Sequence, residues 1–519
     1  MASLEDCRSR ERWPFPALLP HSLKIYPIVQ TAERIGPQPI AAWPPPMAPE
    51  VAAWRDATSF AESTGNQIYL HVPFCPFLCH FCPLFKVTKA KDRTEERQEE
   101  FVSALIDEIE LYGGTPSVAA KSFNSVYFGG GTPTQLTPLQ LTRILTALRR
   151  NLTITADAEI TLEGVAKQML APGYLEPCFT AGFNRVSFGV QSLNARQRQL
   201  IGRGDRVDDY PALVTLVRSL NPAASANCEI MAGLPDQTFD ALESDLRELV
   251  SWKMNSVDVL YYVQMAGTRL AQLVTKKKRS EPEFGARLLR MRQFTNNFFR
   301  EAGYQQVTGE VFVRNERDLF VHTSFGGGGN CLNTLLALGP SGFGHISGTV
   351  YHNVCDLDAY CSSIRERRFP IGTAQSMDGA AARRRAFILS LLRLQLPEFA
   401  IGSWRERKLV DDWTRFGLLS RVPGGYRLTE RGTLWYNHMQ IEALPMTEML
   451  RILRMFGSID DQEASLRDDN SQTRELLELV RARGGVGHLG EMVYRGILKA
   501  HKLPIFDRRA IGFTGPVSA

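Results

Sequence analysis

From residue 66 onward, six short runs rich in β-branched and aromatic residues alternate with longer amphipathic stretches. The runs are QIYLHV (67–72), SVYF (125–128), AEITL (158–162), RVSFGV (185–190), ANCEIM (226–231) and SVDVLYYV (256–263). Such an alternation needs a crossover between each pair of strands, so it predicts an α/β fold with a parallel sheet and helices outside it. One intervening stretch, EERQEEFVSALIDEIELY (95–112), sets Phe101, Leu105, Ile109 and Leu111 close to helical spacing. Six units are too few to close an eight-stranded barrel, so an open, partial (β/α)6 barrel is expected.

The rest of the chain falls into further segments. Residues 1–60 are rich in proline and read as an extended N-terminal arm lying over another part of the protein. Residues 61–310 carry the barrel, and residues 311–379, with the run Gly326–Gly329, bridge onward and complete the core. Within 380–445, GLLSRVPGGYRLTERG (417–432) reads as a helix end, a tight turn, a short strand and another helix, a winged-helix-like pattern. Residues 446–519 are expected to form a helical extension, with RELLELVRARGG (474–485) as its clearest helix. The net charge of +5 is spread over 519 residues and predicts neither nucleic-acid nor membrane binding. In the winged-helix-like part, Arg405, Arg407, Lys408, Arg421, Arg427 and Arg431 are interleaved with acids, a poor pattern for contacting a phosphate backbone. There is no apolar run long enough to span a bilayer and no apolar leader at the N-terminus, so a cytoplasmic location is expected.

Nine cysteines are too few and too scattered for a disulfide framework. Cys7, Cys178, Cys228, Cys331, Cys355 and Cys361 have no ligand-like grouping and read as buried or incidental thiols. The other three lie together in CPFLCHFC, directly after the first strand: Cys75, Cys79 and Cys82, spaced C-x3-C-x2-C. Thiolates this close on one loop can wrap a single iron–sulfur cluster. No fourth cysteine follows, because Pro83, Leu84 and Phe85 come next. A cluster with three protein ligands leaves one iron open to the amino and carboxylate groups of a methionine-type ligand. A zinc site completed by His80 or His71 is the alternative, although structural zinc more often uses C-x2-C pairs.

Four motifs then occur in order: IYLHVPFCPFLCHFC, YFGGGTPTQL (127–136), RVSFGVQSLN (185–194) and MAGLPDQT (231–238). Over about residues 66–440 the chain resembles the HemN-like radical S-adenosylmethionine (SAM) family. That family includes oxygen-independent coproporphyrinogen III oxidase, a haem chaperone and the class C radical SAM methylases. The resemblance implies a radical SAM partial barrel followed by a helical, winged-helix-like HemN domain. It implies a [4Fe–4S] cluster on Cys75, Cys79 and Cys82, with SAM on the open iron. Tyr69 matches the tyrosine beside that SAM, and Phe81 the aromatic that packs on its adenine. Gly129, Gly130, Gly131, Thr132 and Pro133 match the strand end that lets the methionine moiety approach. Glu163 matches an acid contacting SAM, and Phe343 a further apolar contact. A second SAM maps onto Gln191, Arg203 and Glu229, the last being an aspartate in the oxidase.

In such enzymes the reduced cluster splits SAM into methionine and a 5′-deoxyadenosyl radical. The resemblance leans toward the class C methylases. The oxidase usually has another cysteine where Leu84 stands, and LKIYPIVQT (23–31) only partly echoes its N-terminal motif. The expected reaction is therefore transfer of a SAM-derived methyl or methylene group to an sp2 carbon of a small-molecule natural product, on the way to a cyclopropane. Such antibiotic-type biosynthesis calls for an electron donor such as flavodoxin or ferredoxin, and for a separate SAM-dependent methyltransferase where ring closure is a later step. The alternatives are oxygen-independent coproporphyrinogen III oxidation and haem handling. No acid–base dyad stands out, so no catalytic acid or base is assigned. Trp413, Phe416, Trp435 and Tyr436 either line the substrate cavity or pack the core of the C-terminal module.

Overall fold

The fold is seen in a computed structural model, which describes residues 33–34, 36–57, 65–262, 268–276, 284–315 and 333–443. The Gly326–Gly329 run, residues 446–519, and Cys7 and Cys331 lie outside the described residues.

The six sequence-predicted strands form: β1 (Asn66–Val72), β2 (Ser122–Gly130), β3 (Thr153–Gly164), β4 (Arg185–Gln191), β5 (Ser225–Ala232) and β6 (Ser256–Tyr261). They lie side by side in chain order, and every neighbouring pair is parallel. Alternation along β1 explains the layering. Ile68, Leu70 and Val72 join the core beneath the helices, whereas Gln67, Tyr69 and His71 occupy the opposite face. Helix α1 (Glu95–Gly113) brings Phe101, Leu105 and Ile109 into that outer core, and Thr94 caps it by accepting a hydrogen bond from the Arg97 amide. Helix α2 (Pro138–Asn151) starts with a capping box between Thr137 and Gln140.

The sheet continues past both ends of this block. Strand β7 (Val311–Val313) runs antiparallel beside β6, and β8 (Leu335–Leu338) runs parallel beside β1. Strands β9 (Phe343–Ile346), β10 (Thr349–Asn353) and β11 (Ile371–Ser376) extend the β8 side as an antiparallel meander. Val311 and Val313 of β7 pack against Tyr127, with Tyr69 beside them, although these residues belong to strands at opposite ends of the six. Contact across the inside means that the sheet curls into a partial barrel with a lateral opening.

The C-terminal module docks at the β6–β7 side of the sheet. Between β6 and β7 lies helix α3 (Phe284–Glu301). The module follows β11 and comprises α4 (Gly379–Ser390), β12 (Gln395–Pro397), α5 (Trp404–Arg415), β13 (Leu419–Val422), β14 (Gly425–Leu428) and α6 (Glu430–Ala443), with strand order β12-β14-β13. It docks through Arg292 of α3, whose guanidinium lies 4.3 Å from the Tyr261 ring centroid and 4.9 Å from that of Tyr436, and donates to Asn437 Oδ1 at 2.8 Å. The Gly309 amide donates to the Leu392 carbonyl at 2.9 Å, and a Cβ at Gly309 would lie only 2.2 Å from the Tyr436 ring. Trp413 stacks on Phe387 inside the module, so its role there is packing.

Glu108 of α1 is fully buried and ties the helix to the β8–β10 meander. Its carboxylate accepts from the Gly339 amide (2.8 Å), the Tyr360 hydroxyl (2.7 Å) and Asn353 Nδ2 (3.3 Å). Burial outweighs these bonds and raises its pKa from 4.5 to about 7. The folded protein therefore binds this proton more tightly than the unfolded chain. The Glu108 contribution to stability is complete below pH 4.5, falls as pH rises to about 7, and is flat beyond. Urea-unfolding midpoints should show that decline in the wild type, and Glu108→Gln should flatten it; an unchanged slope in the variant would assign the decline elsewhere. Among the described residues no helix is long and apolar enough to cross a membrane.

Candidate active site

The cysteine loop leaves β1 at Val72 and is closed at its base by backbone bonds. The Cys75 amide donates to Val87 O at 3.0 Å, and the Val87 amide to Pro73 O at 2.7 Å. The turn after β2 is stitched to the same base, with Gly131 N donating to Val72 O and Thr132 N to Phe74 O. A side chain would break this approach: a Cβ on Gly131 would lie 2.6 Å from Val72 O, and one on Gly130 (φ +98°) would lie 2.5 Å from the His71 ring. The glycines are thus needed by the loop seat, before any cofactor is considered.

Cys75 is buried, while Cys79 and Cys82 are half-buried. Thr132 Oγ1 donates to Cys75 Sγ at 3.6 Å, and Arg203 Nη1 to Cys79 Sγ at 3.9 Å. Burial pushes the Cys75 thiol up to about 12 and raises Cys79 as well. Thiols in such a place ionise when positive charge is supplied, which coordination to iron does. Of the two histidines of the zinc alternative, His71 is engaged through both ring nitrogens, whereas His80 commits only Nδ1. His80 Nδ1 is bonded to Leu200 O at 2.8 Å. His71 Nε2 bonds Phe85 O at 2.9 Å, and its Nδ1 lies 3.2 Å from the Tyr69 hydroxyl. Burial lowers the His71 pKa to about 4, so the ring is neutral; Nε2–H donates to Phe85 O, and Nδ1 accepts from Tyr69. Among the described residues, no group of three or more His, Cys, Asp or Glu is gathered tightly enough to hold one ion. Thiolates on a four-iron cluster bind separate irons and do not converge on one centre, so this loop fits the cluster better than zinc.

The inward faces of the strands converge below this loop. Tyr69 stacks on Tyr127 with ring centroids 6.3 Å apart. Glu163, Glu229 and Asp258 rise from β3, β5 and β6. Burial, together with Glu229 nearby, raises the Glu163 pKa well above the usual carboxylate range. A Cβ on Gly129 would lie 2.7 Å from Glu163 Oε2, so the acid reaches the glycine strand end. Gln191 has a left-handed backbone (φ +64°) at the end of β4 and donates through Nε2 to Glu229 Oε2 at 3.0 Å. The Arg203 side chain is largely buried, lies over the Phe77 ring at 5.1 Å, and donates to the Gly189 carbonyl. It forms a two-pronged pair with Asp205, Nε to Oδ1 at 3.0 Å and Nη2 to Oδ2 at 2.6 Å.

The sequence-predicted residues therefore divide by location. Cys75, Cys79, Cys82, Tyr69, Gly130, Gly131, Thr132 and Glu163 share the mouth of the barrel, with Gln191 and Glu229 on the adjoining strands and Arg203 in the connection between those two strands. Phe81 packs with Ile201, Met231 and Leu270 beside the loop. Phe343 lies on the meander, where it packs with Val51, Val350 and Met377, its ring 6.4 Å from His352. Sequence reasoning missed Asp205 and Tyr127. The signal for Tyr127 was the alternation in SVYFG, which puts it on the same face as Ser125 and Gly129. For Asp205 the signal was an acid two residues from an arginine assigned to a buried site.

Residues 69–249 match the model of the radical SAM superfamily. The chain is 27% identical over 418 residues to anaerobilin synthase of Escherichia coli O157:H7, covering 79% of this chain and 90% of that protein. It is 27% identical over 420 residues to oxygen-independent coproporphyrinogen III oxidase of Escherichia coli strain K12, covering 74% of this chain and 90% of that enzyme. The solved structure of coproporphyrinogen III oxidase from Escherichia coli superposes with a TM-score of 0.61 at 23% identity, over 74% of this chain and 91% of that one. These relatives overturn the expectation of methyl or methylene transfer to a natural product, with its cyclopropane product, antibiotic context and partner methyltransferase. The physical reason lies at Leu84: a position beyond the three ligands does not touch the coordination of the open iron, so a missing cysteine there says nothing about the reaction. Cluster loop, glycine strand end, barrel acids and the matched region agree: the chain carries a radical SAM domain that uses a [4Fe–4S] cluster and SAM, and over most of its length it is similar to HemN-type proteins.

Proposed function

We propose that this chain oxidises a propionate-bearing tetrapyrrole precursor, as an oxygen-independent coproporphyrinogen III oxidase does. The observation that carries this reading is the extent of the similarity: it spans 90% of the oxidase and 90% of anaerobilin synthase, including regions beyond the cluster motif. When bound, the cluster and SAM supply a one-electron cleavage that leads to removal of a hydrogen atom from the substrate.

The chain's own residues then have these tasks. Cys75, Cys79 and Cys82 hold the cluster, and Thr132 and Arg203 donate hydrogen bonds to two of the sulfurs, which favours the thiolate form. Tyr69, Phe81, the Gly129–Pro133 turn and Glu163 form the SAM seat, with Phe343 as an outer apolar neighbour. Gln191, Glu229 and Arg203 form a second polar seat large enough in chemistry, two acceptors and a cation, to take a second SAM. His71 accepts a hydrogen bond from the Tyr69 hydroxyl at Nδ1 and so fixes that ring's orientation. The C-terminal module, docked at the β6–β7 side of the sheet, helps keep water from the barrel interior. A small protein such as reduced flavodoxin or ferredoxin serves as electron donor.

The test is anaerobic incubation of the reconstituted full chain with SAM, a reductant and coproporphyrinogen III. The expected result is release of carbon dioxide and formation of a vinyl-bearing product together with 5′-deoxyadenosine. With methyl-deuterated SAM, no deuterium should enter the tetrapyrrole. SAM cleavage that leaves coproporphyrinogen III untouched would overturn the reading.

A further inference from the structure

A cavity of about 820 Å³ lies away from the cluster, where the last turns of α3 and the edge strand Gln305–Gln306 meet β14 and the start of α6. It is at the edge of the sheet: among the described residues Gln305–Gln306 pairs only with β7 and forms the end of the strand order. Its level is that of the strands' N-terminal ends, since Val313, the partner of Gln305, pairs with Ser256 at the first residue of β6. The cluster loop lies at the opposite, C-terminal ends.

The lining is strongly cationic. Arg300, Arg393, Arg427 and Arg431 contribute guanidinium groups, against a single carboxylate, Glu430, which is bonded to Arg300. In the same wall one buried amide donor, Gln306 Nε2, has no hydrogen-bond partner. The opening turn of α6 adds the positive end of a helix of 14 residues. The size is that of a small-molecule site, and the concave shape suits a compact ligand better than a polymer backbone.

We propose that this cavity binds a small polyanion, a molecule carrying two or more phosphate or carboxylate groups, and that the ligand bridges the barrel to the C-terminal module. Arginine recognises both groups through paired N–H donors, so the shared chemistry is a multiply charged oxyanion. One wall belongs to the barrel (Arg300, Gln306) and the other to the module (Arg393, Arg427, Arg431), so an occupant links the two bodies without touching the cluster site. Nothing in this inference depends on which tetrapyrrole, or which reaction, the barrel serves.

The experiment uses the full chain and measures binding by calorimetry and thermal stability, with pyrophosphate in one arm and citrate in the other. Sodium chloride at matched ionic strength is the reference. Saturable one-site binding with a raised unfolding temperature is expected in at least one arm, and the arm that binds more tightly names phosphate or carboxylate as the group read. Arg427→Glu and Arg431→Glu, both exposed positions that should fold, are expected to weaken binding roughly ten-fold or more each. Iron content and SAM cleavage should stay at wild-type levels in both. Binding in neither arm beyond the chloride reference, or binding that both variants leave unchanged, would overturn the proposal.

Discussion

Replacing Cys75, Cys79 or Cys82 by alanine is expected to remove the iron–sulfur chromophore and to drop SAM cleavage to background. The three thiols share a short loop, and no other cysteine is available among the described residues in that loop. Losing one ligand from a three-cysteine set leaves two irons without protein anchors, which a labile cluster does not survive. The fold should persist, because the loop is held by the Cys75–Val87 and Gly131–Val72 backbone bonds, which do not involve the thiols. Iron analysis, the visible spectrum and quantified 5′-deoxyadenosine after anaerobic reconstitution provide the readout, with circular dichroism as the folding control. Full iron loading in any single variant would remove that cysteine from the ligand set.

Asp205→Ala is expected to destabilise the protein strongly. The Asp205 carboxylate is 1% exposed and meets two guanidinium groups, Arg198 at 3.0 Å and Arg203 at 2.6 Å, as well as the Tyr210 hydroxyl at 2.7 Å. Its removal strands two buried cations, a loss of about 3–5 kcal/mol when one member of a buried pair is deleted. Urea unfolding should show that loss as a lowered midpoint with an unchanged slope. Arg203 also approaches Cys79, so the variant should lose SAM affinity even where it remains folded. A folding stability within about 1 kcal/mol of wild type would mean that the pair is not the anchor its burial suggests.

The relatives redirect the reaction but leave the cofactors, a [4Fe–4S] cluster and SAM, as the motifs implied. The methylase expectation rested on features outside the coordination sphere, Leu84 and the partial arm motif. Such positions can vary without altering how a three-ligand cluster presents its open iron. Similarity to coproporphyrinogen III oxidase carries more weight because it spans 74% of this chain and 90% of that enzyme, far more than the cluster motif.

The sequence by itself determined the six parallel strands and the cluster loop. Alternation of two along QIYLHV and of three to four along EERQEEFVSALIDEIELY are local patterns, and CPFLCHFC holds its three thiols within eight residues. Only the tertiary structure decided the meander β8–β11, whose strands are short and broken by Gly342, Gly344 and Gly348, and which forms because β8 finds the free edge of β1. It also decided the partnerships of Arg203 with Asp205 and Cys79, of Gln191 with Glu229, and of Glu108 with Gly339 and Tyr360. Several of these join residues from tens to hundreds of positions apart, where neither spacing nor periodicity leaves a mark. Even the near pair, Arg203 and Asp205, gains its meaning from burial, which turns a charge that water would screen into one that must be matched.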